Sequence, residues 1–184
     1  MSAMFEDRSD AGRRLADRLA AMGLPDPVIY ALPRGGVPVA ARIAERLHAP
    51  LDLLFVGGSG DGGAGRAARR EAVELERRRI HYRGDRAPVS AEGRTAVVVD
   101  DGIATGATIR AALADLRRQG AAVTVIAVPV APARLVAELS AEAAQVVVLE
   151  SPGDFWAIGP FYRDFHQLSD DETADLLRAA WTGG

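Results

Sequence analysis

The chain has 184 residues, a formal net charge of −3, 48% hydrophobic and 26% charged residues, and no cysteine. That balance fits one globular domain able to bury a core without staples, with no bulk attraction to nucleic acid. Disulfides, thiolate zinc sites and a cysteine nucleophile are excluded. The most apolar stretch, residues 123–133, is too short to span a bilayer and is broken by Pro129 and Pro132. The first residues, MSAMFEDRSDAGRR, lack an apolar signal core. The expectation is a cytoplasmic protein that binds neither nucleic acid nor membrane.

In chain order, residues 9–22 place Leu15, Leu19 and Met22 on one helical face, with Ser9 or Asp10 as cap and Gly23 as stop. Residues 28–32 form a short apolar run that reads as a buried strand. The turn Pro33-Arg34-Gly35-Gly36 follows, then a helix over 37–47 and a strand over 51–56. Residues 57–65, GGSGDGGAG, have no side-chain pattern and read as a Gly-rich flexible loop. A charged helix over 66–82 carries Glu and Arg at i,i+3 and i,i+4 spacing. The Arg77-Arg78-Arg79 run reads as its solvated face.

A β-branched strand over 95–100 precedes a helix over 107–119 ended by Gly120. Then come a strand over 122–130, a helix over 133–139, a strand over 145–149 and an aromatic segment over 152–165. A helix over 171–181 closes the chain, capped by Ser169 or Asp170. This alternation predicts an α/β fold: a Rossmann-like parallel sheet with helices on both faces and a short C-terminal aromatic hood, one domain over 1–184. Ligands in such folds sit beyond the carboxyl ends of the strands.

The strongest local signal is VVVDDGIATGAT, residues 97–108. A buried strand ends in Asp100 and Asp101, and a loop of small residues then opens a helix. The N–H groups of Ala104, Thr105, Gly106, Ala107 and Thr108 converge where the helix dipole favours an anion, and small residues let the backbone approach it. Two adjacent carboxylates repel each other and ask for donor-rich partners; a vicinal diol satisfies them, aided by Mg²⁺ and its water. A phosphate cradle beside a diol reader describes a ribose 5-phosphate site. Read as a bare strand-to-helix turn, the segment accounts for Gly102 and Thr105 but leaves the two acids unexplained. In the turn Arg34-Gly35-Gly36, two glycines free the backbone to point N–H groups at an anion, and Arg34 adds a positive charge suited to phosphate.

These residues resemble the 5-phosphoribosyl-1-pyrophosphate (PRPP) signature of the type I phosphoribosyltransferases, and the likeness runs over residues 5–181 with a gap near 57–65. The resemblance implies the type I phosphoribosyltransferase fold, Mg²⁺ as cofactor and a homodimer. It implies that Asp100 and Asp101 hold the ribose diol, residues 104–108 the 5-phosphate, and Arg34, Gly35 and Gly36 the pyrophosphate. Arg34, Asp100 and Asp101 are then the catalytic candidates. Trp156, Ile158 and Asp164 are the acceptor-binding candidates, and Asp101 and Asp164 the metal candidates.

Two departures from the family bear on function. Ala104 stands where the oxopurine branch often carries an acid, and Val128-Pro129-Val130-Ala131 offers no lysine to read a base oxygen, which disfavours an oxopurine acceptor. The Gly-rich stretch at 57–65 replaces a basic step and a longer insertion that resembles a lid. The expected function is a PRPP-using transferase acting on a small-molecule acceptor; the alternatives are a non-catalytic PRPP- or nucleotide-binding regulator and a phosphoribosyl hydrolase. Arg66, Arg69 and Arg70 are possible substitutes for the lid cations. Of the three histidines only His166, beside the aromatic segment, is placed for a functional role.

Overall fold

Five short apolar runs form the strands of one parallel sheet in the computed structural model, which describes residues 4–56 and 65–183. They are β1 (Pro27–Ala31), β2 (Leu51–Leu53), β3 (Thr95–Val99), β4 (Val123–Val130) and β5 (Gln145–Glu150), in the order β2-β1-β3-β4-β5. The helices are α1 (Arg8–Met22), α2 (Gly36–Leu47), α3 (Arg66–Arg83), α4 (Ala107–Arg118), α5 (Ala133–Leu139) and α6 (Asp170–Thr182).

Side chains alternate across each strand, so each strand feeds two cores. Ile29, Ala31, Val97, Val99, Val125 and Ala127 pack on one face with α1, α2 and α6. Val28, Tyr30, Val98, Ile126 and Val128 pack on the other with α4 and α5. Burial on both faces is why the strands read as unbroken apolar runs. On the first face α1 lies so close to α2 that a Cβ on Gly12 would sit 2.7 Å from the Val39 carbonyl oxygen.

The chain leaves β1 toward β2 on one side and later returns to lay β3 on the other. In register, Ala31 pairs with Val99 and Val99 with Ala127. The order therefore reverses between β1 and β3, the switch point where open α/β sheets hold ligands.

Several boundaries differ from the expectation. Helix α1 starts at Arg8, because Asp7 and not Ser9 or Asp10 is its N-cap, accepting from the Asp10 N–H. Strand β2 is three residues long: the Leu54 N–H still reaches the Ala31 carbonyl, but β1 then turns into the Pro33–Gly36 bend and offers no further partner. Ser169 caps α6 in a reciprocal capping box with Glu172. Of the predicted loop at 57–65, residues 57–64 lie outside the described residues, and Gly65 is the N-cap of α3. Helix α3 buries only Tyr82. Its end is tied to the sheet through Arg83, which donates to the buried carboxylate of Asp52 at 2.8 Å.

Candidate functional site

The turn after β1 and the loop after β3 pack directly on each other. The Leu32 N–H donates to the Val99 carbonyl at 2.9 Å, and the backbone then bends through Pro33–Arg34, a cis peptide. A Cβ on Gly36 would lie 2.6 Å from the Val99 oxygen, and one on Gly35 would lie 2.1 Å from Asp101 Oδ2. Both distances are impossible for a real side chain, so the glycines are what let this turn sit against the acid pair.

A cavity of about 180 Å³ opens at the β3–α4 loop. Asp100, Gly102, Ile103, Ala104, Thr105, Gly106, Thr108 and Ile109 line it, together with Ile158 from the C-terminal segment. Helix α4 opens there with Gly106 as N-cap at φ 84°, and no side chain caps it. The N–H groups of its first turn have no partner within the helix, and the dipole concentrates positive charge at this end. Only a long contact, 3.5 Å, runs from the Ala107 N–H to Thr105 Oγ1. A Cβ on Gly102 would lie 2.7 Å from Ile158 Cγ2; the missing side chain admits Ile158 as a cavity wall.

The two acids are not equivalent. Asp100 is half-buried, lines the cavity, and accepts the Asp101 N–H at 2.8 Å. Burial, and next the charge of Asp101, hold its carboxyl well above the usual carboxylate range. Asp101 is buried and lies outside the cavity lining. Its Oδ2 accepts Arg8 Nε at 2.9 Å, and its carbonyl accepts the Tyr162 hydroxyl at 2.6 Å. Arg8 also donates to the His166 carbonyl at 2.9 Å and stacks over Phe165, 4.1 Å from the ring centroid. The Asp101 charge is thus compensated inside the protein, and Asp100 is the acid that faces the cavity.

The residues fit a Mg²⁺ ion at Asp100. Mg²⁺ prefers one or two carboxylates completed by ligand oxygens and water, and a cation would relieve the charge crowding at Asp100. Among the described residues no three His, Cys, Asp or Glu side chains form a ready-made metal cluster. The two acids expected to hold the metal are otherwise engaged. Asp101 is bonded to Arg8, and Asp164 accepts the His166 N–H at 3.1 Å and faces its Nδ1 at 3.0 Å. Those bonds draw the Asp164 carboxyl below its ordinary range.

Among the acceptor candidates, Ile158 is in the cavity wall, whereas Trp156 is 85% exposed and, like Asp164, lies outside the lining. The other rings of the hood pack among themselves: Tyr162 stacks on Phe165 at 5.0 Å, and Phe155 on Phe161 at 6.0 Å. Phe5 joins them, tilted against Tyr162 at 5.3 Å, so the N-terminal segment is part of the hood. Arg34 is exposed, with Nη1 3.8 Å from Asp170 Oδ1.

A parallel sheet with an acid pair and a glycine-opened helix start at its switch point is the architecture of the type I phosphoribosyltransferase fold. The chain matches the phosphoribosyl transferase domain over residues 5–166 and belongs to that family. It is 40% identical over 208 aligned positions to a Mycobacterium tuberculosis protein named as a phosphoribosyl transferase, covering 96% of this chain and 47% of that protein. The chain therefore spans about half the length of the curated relatives it matches, and the alignment is longer than the chain, so that relative carries insertions within it. An adenine phosphoribosyltransferase from Mycobacterium avium is 36% identical over 98 residues, covering 50% of this chain and 49% of the enzyme. A solved structure from Thermus thermophilus superposes with a TM-score of 0.80 at 39% identity, covering 94% of this chain and 97% of that one.

Four residues of the site escape a reading of the sequence. Arg8, Tyr162, Asp170 and Tyr82 reach it across 61 or more residues of chain. Only Tyr162 carried a local signal, its place in the aromatic segment.

Proposed function

We propose that this chain is a Mg²⁺-dependent phosphoribosyltransferase that takes PRPP and transfers its phosphoribosyl group to a small-molecule acceptor. In that reaction the bond from ribose C1 to the pyrophosphate oxygen breaks, the electron pair leaves with pyrophosphate, and the acceptor nucleophile bonds to C1. Positive charge grows at C1 and negative charge on the leaving group. The N–H groups at residues 104–108 hold the 5-phosphate. Asp100 accepts hydrogen bonds from the ribose diol, and Asp101, fixed by Arg8, holds the β3 end and the Gly35 turn in register. The amides of Gly35 and Gly36 and the guanidinium of Arg34 take the pyrophosphate. Bound Mg²⁺ supplies charge neutralisation at the leaving group. Ile158 forms the wall on the acceptor side and Trp156 the exposed ring beside it. The same reading, through the resemblance, includes a homodimer in the cytoplasm and a single domain over 1–184.

The observation that carries this reading is the seating of the Gly35-Gly36 turn against Val99 and Asp101, with only glycine fitting there. It joins a pyrophosphate-type turn and a ribose 5-phosphate-type loop at one switch point. Calorimetric titration of PRPP with Mg²⁺ into wild type and Asp100→Asn tests it. The variant should bind at least about tenfold more weakly, the loss of one charge-assisted hydrogen-bond set. Equal affinities would remove Asp100 from the site.

A second reading, a PRPP- or nucleotide-binding regulator without turnover, is favoured by the composition of residues 57–65, which carry no cation where a lid is needed to exclude water. Tight binding with no pyrophosphate release in the presence of any of a panel of purine and pyrimidine bases would select it.

A further inference from the structure

Arg34 is the one side chain in the Pro33–Gly36 turn that carries charge, and its ion pair is internal: Nη1 lies 3.8 Å from Asp170 Oδ1. That carboxylate is held by one side-chain hydrogen bond and by its place at a helix start, with a second cation nearby. The Tyr82 hydroxyl of α3 donates to Oδ1 in a short hydrogen bond. Arg77 Nη2, also on α3, lies 3.8 Å from Oδ2. Asp170 itself is the first residue of α6, next to the Ser169 capping box, where the helix dipole favours negative charge. Asp170 is therefore fixed, while Arg34, 40% exposed and outside hydrogen-bond reach of it, is the movable partner.

We propose that Asp170 is a positioning residue that serves as an internal counter-anion: it holds Arg34 in a resting pair, which a pyrophosphate group must displace. This rests on the reading of the Arg34-Gly35-Gly36 turn as the pyrophosphate site. A carboxylate about 4 Å from the guanidinium competes with any anion for that cation and repels it as well. A single carboxylate yields to a ligand bearing several negative charges. The pairing keeps the guanidinium at the mouth of the site when no ligand is bound, and it weakens the hold on pyrophosphate once the bond to ribose has broken. Tyr82 ties this counter-anion to α3, while the position of Asp170 at the start of α6 places it beside Arg34.

The test is calorimetric titration of inorganic pyrophosphate and, separately, ribose 5-phosphate, each with Mg²⁺, into wild type, Asp170→Asn and Tyr82→Phe. The asparagine keeps an oxygen to accept the Tyr82 hydroxyl and removes the charge. Asp170→Asn should bind pyrophosphate roughly three- to tenfold more tightly and ribose 5-phosphate, whose phosphate belongs to the 104–108 loop, with wild-type affinity. Tyr82→Phe disturbs the α3–α6 contact but keeps the charge, and should leave pyrophosphate affinity within about twofold. Unchanged or weaker pyrophosphate binding by Asp170→Asn, or an equal shift for both ligands, would overturn the proposal while leaving the site assignment intact. A wild type that binds ribose 5-phosphate but no pyrophosphate would instead overturn the reading of the turn, and this proposal with it.

Discussion

Arg8 Nε donates to Asp101 Oδ2 at 2.9 Å, joining residues 93 apart, and both side chains are buried. The pair links the start of α1 to the end of β3. Through the His166 carbonyl and the Phe165 ring, the same guanidinium also secures the C-terminal hood.

Removing Arg8 leaves the Asp101 charge buried without its partner, the costly way to break an ion pair. Arg8→Ala should destabilise the fold by about 3–5 kcal/mol in denaturant titrations. Arg8→Ala combined with Asp101→Asn should recover part of that loss, because no uncompensated charge remains. Strictly additive losses would mean that the two side chains do not act as a pair.

Gly35 meets Asp101 where a Cβ would stand 2.1 Å from a carboxylate oxygen. Gly35→Ala must push the turn and the acid pair apart. The expected loss of stability is about 1–3 kcal/mol, the range of overpacked sites, and pyrophosphate binding should fall with it. Gly153, with nothing near its added Cβ, is the control, and Gly153→Ala should leave pyrophosphate binding unaltered. Wild-type pyrophosphate binding by Gly35→Ala would show that the turn does not need its seat on Asp101.

The Tyr82–Asp170 bond gives a pH dependence of definite sign. Hydrogen bonding from Tyr82, above all, draws the Asp170 carboxyl below its ordinary 3.8. A depressed carboxyl contributes stability that is present above the unfolded value and lost as pH falls through the folded one. The melting-temperature difference between wild type and Tyr82→Phe should therefore be full at neutral pH and shrink below about pH 4. A difference that grows on acidification would contradict the assignment.

The fold was legible because β1, β3 and β4 are buried on both faces and several helices have a recognisable stop or cap. The strand expected over 95–100 is β3, one residue shorter, and the helix expected over 107–119 is α4, which ends at Arg118 with Gly120 just past its C-cap. The loop and helix start that line the cavity were legible for the same reason, since they are contiguous in the chain. What the sequence hid is long-range. No spacing rule connects Arg8 to Asp101, so the two acids looked alike until the fold showed one compensated and one presented to the cavity. Asp164, a metal and acceptor candidate through the resemblance alone, has its carboxylate engaged by its near neighbour His166, a contact the resemblance did not show. Strand β2 was overextended because Leu54, Phe55 and Val56 are apolar, and hydropathy does not report where the pairing partner turns away.

The most direct measurement is thermal unfolding of the wild-type chain with PRPP and Mg²⁺, beside ribose 5-phosphate and pyrophosphate. At one hundred times its dissociation constant a ligand adds about 2.7 kcal/mol, which for a chain of this size is a rise of roughly 5–10 °C. The account predicts that rise with PRPP and its reduction to about half or less in Asp100→Asn at the same PRPP concentration. No rise with any of the three ligands would contradict the central claim that this switch point is a PRPP site.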